Sequence, residues 1–206
     1  MNQESGQSTE IAVGKFKITM IPPEPRTESP DRISFWWGLT SSSLALARFV
    51  ESELSVTGKE VLELGSGVGL PGLVASMRGA RVTFTDYVPE ALETVKSNAE
   101  INGVLNDTMR FVCLDWEFPV DIGRFDFIIG SEIVYEYFFH GHLTEIIRNA
   151  LKGDGTLIIA DRKRLVVDRF MGGLRRKGFL CNKKTSFINE DEFPAQTITI
   201  YVLRQA

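Results

Sequence analysis

The apolar run from Lys59 to Leu64 breaks abruptly into glycine. Glu63-Leu64-Gly65-Ser66-Gly67-Val68-Gly69 leads at once into Leu70-Pro71-Gly72-Leu73. A short apolar strand that ends in alternating glycines and passes straight into a helix opens a strand–turn–helix unit. Glycines at such a strand end permit positive φ and let a ligand approach the backbone closely. In an open α/β sheet this turn lies at the carboxyl edge of the first strand, where ligands bind.

The rest of the chain continues the rhythm. Leu70 to Met77 reads as a helix, and Arg81 to Thr85 as a strand ending at Asp86. Pro89 suits the first position of a helix whose apolar face is Leu92, Val95 and Ala99, closed by Asn102-Gly103. Met109–Leu114, Phe125–Ile129 and Thr156–Ala160 are further strands, with helices over His142–Leu151 and Leu165–Lys177. Alternating strands and helices imply a mostly parallel sheet covered on both faces. Phe179–Asn182 and Gln196–Leu203 come last, joined only by an expected loop from Lys183 to Ala195. Two adjacent strands without a crossover helix pair antiparallel, so the expectation is seven strands with one reversed near the edge. Ahead of this unit, Ile11–Met20 alternates like a strand or hairpin arm. Pro22, Pro23, Pro25 and Pro30 then enforce an extended crossing. Thr40–Ser43 supply capping hydroxyls for a helix carrying Leu44, Ala47, Val50 and Leu54.

Composition narrows the setting. The 206 residues suit one domain, and 43% hydrophobic with 24% charged residues excludes global disorder. A net charge of −4 gives no general drive toward nucleic acid or anionic membrane. Cys113 and Cys181 are far apart, so neither a disulfide scaffold nor a structural zinc site is expected. His140 and His142, the only histidines, have no completing ligand set, so no metal site is expected and a loop or helix start is. With no leader-like start and no apolar run of membrane-spanning length, the expected location is cytoplasmic, without membrane association. The oligomeric state stays open.

Three details define the ligand expected at the glycine turn. A dinucleotide fingerprint starting at Gly65 needs glycine where Leu70 stands. Glu63 is a poor neighbour for a pyrophosphate and a good one for a cationic ligand with an amino group. No Gly-Lys-Ser/Thr follows, so there is no phosphate-binding loop. An adenosine-like ligand without phosphates fits. Asp86 can accept both hydroxyl protons of a ribose, the competing reading being a helix-start acid before Pro89. Asp115-Trp116 can bond and stack on an adenine, against a surface turn with a packed Trp.

These residues resemble motif I of the class I, seven-β-strand methyltransferases, which implies a Rossmann-like three-layer sandwich and S-adenosylmethionine as cofactor. Four further features are similar to the protein-lysine methyltransferase-like family that includes the eukaryotic METTL21-type enzymes. They are Trp37-Gly38 before a helix, Leu70-Pro71-Gly72-Leu73, Leu114-Asp115-Trp116, and Glu132-Ile133-Val134-Tyr135 after the fourth strand of the rhythm. Ser131 stands where that family often has Ala. The resemblance implies that Trp37, Glu63, Gly65, Gly67, Asp86, Trp116 and Ser131 line the cofactor pocket. Ser66, Gly69, Tyr87 and Asp115 complete the expected contacts. Residues 1–40 are then an N-terminal extension and cofactor-covering segment, and 41–206 the methyltransferase domain.

A lysine acceptor must shed a proton whose ordinary pKa is ≈ 10.4 before its nitrogen can attack. Glu132 and Tyr135 are the catalytic candidates, with Tyr137, Phe138 and Phe139 as further aromatic walls. Their competing roles are a helix cap and a packed ring. The chain lacks the Asn/Asp-Pro-Pro-Tyr/Phe element usual for adenine or glutamine acceptors. No large insertion forms a lid, so a protein substrate is favoured over a small molecule, the alternative within the same fold. A non-catalytic binding module would have no use for intact Glu63, Asp86 and glycines. The basic stretch Arg162-Lys163-Arg164, Arg169 and Arg175-Arg176-Lys177 reads first as a solvated helix face, with docking of acidic protein or RNA as the sharper alternative.

Overall fold

The computed structural model describes residues 8–21, 38–190 and 193–206. β1 (Thr9–Val13) and β2 (Phe16–Met20) form a separate antiparallel hairpin. Its two-residue turn places Gly14 at φ +55°, the conformation that primed hairpin turns require. α1 (Ser41–Glu53) follows, and Thr40 caps it reciprocally: Thr40 Oγ1 accepts from Ser43 N at 3.0 Å, and Thr40 N donates to Ser43 Oγ at 3.1 Å.

The main unit runs β3 (Glu60–Leu64), α2 (Leu70–Met77), β4 (Arg81–Asp86), α3 (Pro89–Ile101), β5 (Arg110–Cys113) and β6 (Phe125–Ser131). A 3₁₀ turn (Tyr137–Phe139) then leads into α4 (His140–Ala150), β7 (Leu151–Asp161), α5 (Leu165–Arg176), β8 (Phe179–Glu190) and β9 (Phe193–Gln205). Seven strands form one sheet in the order β5-β4-β3-β6-β7-β9-β8. β9 runs antiparallel to both β7 and β8, so the reversed strand is second from the edge, as the sequence implied.

Alternation along the strands sorts side chains into two cores. Val61, Phe84, Ile129, Ile158 and Ile200 face α1–α3 and the hairpin. Leu62, Leu64, Ile128, Leu157, Ile159 and Leu203 face α4 and α5. Burial on both faces explains why the inner strands read as nearly continuous apolar runs. Chain order leaves β3 toward β4 and β5, then returns to its other side at β6. The glycine turn after β3 therefore sits where the winding reverses, the place at which open α/β sheets form a crevice.

The expected loop from Lys183 to Ala195 is a correction. β8 and β9 are long, and Glu190 pairs with Phe193. β8 is the edge strand and mostly exposed, so its Asn-Lys-Lys-Thr run lacks the hydrophobic signal of a strand. Lysines on such an edge discourage pairing with other chains. α4 also starts two residues earlier than the periodicity suggests, at His140, because the 3₁₀ turn feeds directly into it.

Arg78, at the C-cap of α2, donates from Nη1 to the carbonyls of Val50 and Leu54, each at 2.7 Å. It thereby caps the end of α1. Arg78→Met should lower unfolding free energy by about 2 kcal/mol in urea titration, the scale of hydrogen bonds from a charged donor.

Candidate active site

Each glycine of the turn is in the left-handed region: Gly65 at φ +60°, Gly67 at +51° and Gly69 at +83°. Neighbouring elements hold it there. Ser66 N donates to Thr85 O at 2.9 Å, and Ser66 Oγ accepts from Thr85 N at 3.1 Å. Asp86 Oδ2 accepts from Gly67 N at 2.9 Å, and Oδ1 accepts from Val88 N at 3.0 Å. Thr85 Oγ1 donates to Glu63 O at 2.7 Å. The end of β4 thus writes the shape of the turn after β3. Space is tight as well as shaped. A Cβ on Gly69 would fall 2.7 Å from Val95 Cγ1, and one on Gly65 would fall 3.0 Å from Ile133 Cγ2.

Glu63 lies beneath this turn. It is buried against the first turn of α2, where a Cβ on Gly72 would meet its Oε2 at 2.4 Å. That Oε2 has no hydrogen-bond partner. Burial pushes the carboxyl up to about 8 and the negative charge of Asp86 adds to this; the nearby Gly72 N–H and Ser66 hydroxyl pull the other way, although neither makes a well-formed hydrogen bond to Oε2. Burial also raises the Asp86 carboxyl, against the backbone N–H groups of Val88, Gly67 and Tyr87. A buried, unpartnered carboxyl oxygen beside a glycine cradle suits a ligand that brings positive charge and donors. These residues fit the sulfonium–adenosine cofactor that the sequence resemblance implies.

The exits of β5 and β6 face the turn. A Cβ on Gly65 would lie 3.8 Å from Trp116 Cζ2. The Trp116 ring centre is 6.2 Å from that of Tyr135 and 5.6 Å from that of Phe139, and Tyr135 and Phe139 are 5.7 Å apart. Tyr135 remains 40% exposed at the mouth of this aromatic group. Its phenol is raised by partial burial, and by the charges of Glu136 and Asp86. The Asp86 charge, far away in sequence, therefore acts on Tyr135.

Glu132 adopts φ +56°, a strained conformation for a residue with a side chain. The β7 end holds it from three directions. Glu132 N donates to Ala160 O at 2.9 Å, Arg164 Nη2 donates to Glu132 O at 3.1 Å, and Arg162 Nη2 pairs with Glu132 Oε2 at 2.8 Å. Arg164 in turn grips the fully buried Asp161, with Nε to Oδ2 at 3.1 Å.

The structure brings Glu63, Gly65, Ser66, Gly67, Gly69, Asp86, Trp116 and Tyr135 around one turn. Ser131 ends β6 next to Glu132, and Tyr87 and Asp115 lie at the exits of β4 and β5. Asp115 Oδ1 accepts from Glu117 N at 2.9 Å. Ser66 spends its hydroxyl on β4 rather than presenting it openly. Trp37 lies outside the described residues. Of the aromatic walls, Phe139 joins the cluster, whereas Tyr137 and Phe138 are more than half exposed, with Arg169 over the Tyr137 ring. The basic stretch does not form one solvated helix face. Arg162 and Arg164 precede α5 and are committed to carboxylates. Sequence reasoning missed Ile133, which packs under Gly65 and Gly130, and the Arg162–Glu132 pair. No local signal marks a pairing across adjacent strand exits.

Folded protein keeps Glu63 protonated up to about pH 8, whereas the unfolded chain ionises it near 4.5. Between those values unfolding releases a proton, so the stability of the cofactor-free protein falls as pH rises across that window. Glu63→Gln should remove most of this slope in denaturation curves taken through it.

A family model described as lysine methyltransferase matches residues 37–177. A mouse (Mus musculus) protein named EEF1A lysine methyltransferase 3 is 32% identical over 126 residues, 60% of this chain and 54% of that protein. The Danio rerio protein N-lysine methyltransferase METTL21A is 33% identical over 143 residues, 66% of this chain and 65% of that one. This chain spans about half the length of the curated relatives it matches. A ribosomal protein L11 methylase from Lactobacillus delbrueckii subsp. bulgaricus shares the fold, with a TM-score of 0.62 at 20% identity over 80% of this chain and 79% of that one. The chain belongs to the lysine methyltransferase family.

Proposed function

We propose that this protein methylates a lysine side chain of a protein substrate, using S-adenosylmethionine. The observation that carries this reading is the convergence on the glycine turn of Asp86, the Trp116–Tyr135–Phe139 aromatic group and the neighbouring Glu132, within a chain of this family.

Bound S-adenosylmethionine supplies an electrophilic methyl group next to a positive sulfur. The chain's residues arrange what surrounds it. Asp86 Oδ2 accepts from Gly67 N and Oδ1 from Val88 N, which leaves lone pairs on the carboxylate for ribose hydroxyls. Trp116 offers a ring face and Asp115 a carboxylate at the adenine end. The buried Glu63 would face the amino-acid end, whose ammonium would draw it back to its ionised form. Gly65, Gly67 and Gly69 let the ligand rest on backbone, with Ser66 and Tyr87 flanking.

At the acceptor end the amine has to arrive without its proton and in line with the transferring methyl. The aromatic group excludes water and tolerates a methylated ammonium on its ring faces. Glu132 is the nearest candidate to attract the ammonium and steer its proton away, and Arg162 holds its carboxylate in place beforehand. Ser131 precedes it at the end of β6. We further assign residues 1–40, with Trp37, to covering the cofactor, and 41–206 to the methyltransferase domain. The cytosol is the proposed location, in keeping with free Cys113 and Cys181; no described helix is long and apolar enough to cross a membrane. Nucleic acid is not the proposed acceptor, because the arginines nearest the site are occupied by Glu132 and Asp161.

Incubation with methyl-labelled cofactor and lysate of the source cells should place label in protein, recovered as methyllysine after acid hydrolysis. Label confined to RNA or small solutes, or recovered as another methylated residue, overturns the acceptor assignment. Asp86→Ala should weaken cofactor binding in calorimetry by at least roughly tenfold, the effect of losing hydrogen bonds to a charged acceptor. Glu132→Gln should lower turnover by roughly 10²-fold while cofactor affinity stays unchanged.

A further inference from the structure

Asn98 is polar, yet it is completely buried within α3. Its side chain is spent on two partners that belong to different parts of the fold. Nδ2 donates to the carbonyl of Val68, inside the glycine turn, at 3.2 Å. Oδ1 accepts from the backbone N–H of Ile21, which directly follows the hairpin, at 2.8 Å. Val95, Asn98 and Asn102 are spaced along one face of α3. Val95 packs against Gly69 of the turn, and Asn102 clamps Thr19 of β2, accepting from its N–H at 2.9 Å and donating to its carbonyl at 2.7 Å. One helix face therefore reads the turn at one end and the hairpin at the other, with Asn98 touching both.

We propose that Asn98 is a positioning residue for cofactor binding, fixing the Val68–Gly69 peptide of the turn, and that the Ile21 N–H orients its amide for that task. A carboxamide is the right group because it offers one donor and one acceptor on the same planar end. With Oδ1 held by Ile21, only Nδ2 can face Val68. A freed Val68 carbonyl would be a buried acceptor without a partner, and Gly67 and Gly69 give the backbone around it freedom to rotate. The N-terminal hairpin is thereby coupled to the cofactor site through α3. The inference rests on S-adenosylmethionine binding at this turn, and not on which acceptor is methylated.

The test is calorimetry with S-adenosylmethionine alone, at a temperature where circular dichroism shows each variant fully folded. Asn98→Asp keeps the acceptor for Ile21 but sets an oxygen against the Val68 carbonyl; Asn98→Ser shortens the side chain out of reach. Each should weaken binding roughly tenfold, the scale of one buried group left unpaired. Asn102→Ala cuts the hairpin clamp but spares the turn, so it should lower the melting temperature while leaving cofactor affinity unchanged. Ile21→Pro removes the N–H donor and exchanges the half-buried isoleucine side chain for a ring, and Met20 before it is already extended, as a residue preceding proline prefers. It should weaken binding about threefold in the native background and add nothing to Asn98→Ser, the signature of coupled sites.

Native affinity in folded Asn98 variants overturns the proposal. So does an equal loss in Asn102→Ala, or a loss from Ile21→Pro that adds fully to that of Asn98→Ser. Ile21→Pro leaves the core side chains in place, so if the Asn98 variants fail to fold, unchanged affinity in Ile21→Pro alone is decisive against it. Failure of the unsubstituted protein to bind S-adenosylmethionine would instead sink the cofactor reading itself.

Discussion

Four hydrogen bonds between the end of β4 and the turn after β3 hold the candidate site in shape. Thr85 exchanges both of its backbone groups with Ser66, its hydroxyl takes the Glu63 carbonyl, and Asp86 accepts from Gly67 N. A run of positive-φ glycines has no conformational preference strong enough to define one structure. Pairing the turn to the next parallel strand supplies the missing constraint. It also carries the last residue of β4, Asp86, to the rim of the turn at the one place in the sheet where the winding reverses.

That geometry leaves two carboxyl groups close together in a poorly solvated place, which costs stability unless a charge arrives. Glu63 responds by holding its proton, and Asp86 is shifted the same way, with the backbone N–H groups of Val88, Gly67 and Tyr87 pulling against the shift. A ligand that carries positive charge into the turn relieves both. Asp86 shapes the turn through its bonds to Gly67 and Val88, whereas the unpartnered Glu63 oxygen adds nothing to that frame, and ionising it without a counter-charge costs stability.

The second half of the site depends on β7. The exit of that strand anchors the strained Glu132 through Ala160, Arg164 and Arg162, and Arg164 is itself fixed by buried Asp161. Arg164 is the more buried of the two arginines, at 29% side-chain exposure, and Arg162 the more exposed, at 46%. One guanidinium therefore serves as fixed scaffold, and the other meets solvent beside the candidate acceptor pocket.

Much of this was legible in the chain itself. The strand–turn–helix of Lys59–Met77, the acid at Asp86 and the reversed final strand follow from local periodicity, spacing and turn chemistry, whereas Trp116 and Tyr135 are picked out by the resemblance of their motifs to the family. These features are set within a few residues of one another. Tertiary structure alone decided that Glu63 lies beneath the turn, that Arg162 pairs with Glu132, that Asn98 joins the turn to the hairpin, and that the polar Lys183–Glu190 segment is strand. Each of those depends on partners distant in sequence. A carboxylate's direction is set by the packed helix behind it, a buried amide's role by what reaches its two ends, and an edge strand's existence by the neighbour that pairs with it. The sequence alone determined where a cofactor could rest; the assembled sheet decided which side chains are held ready around it.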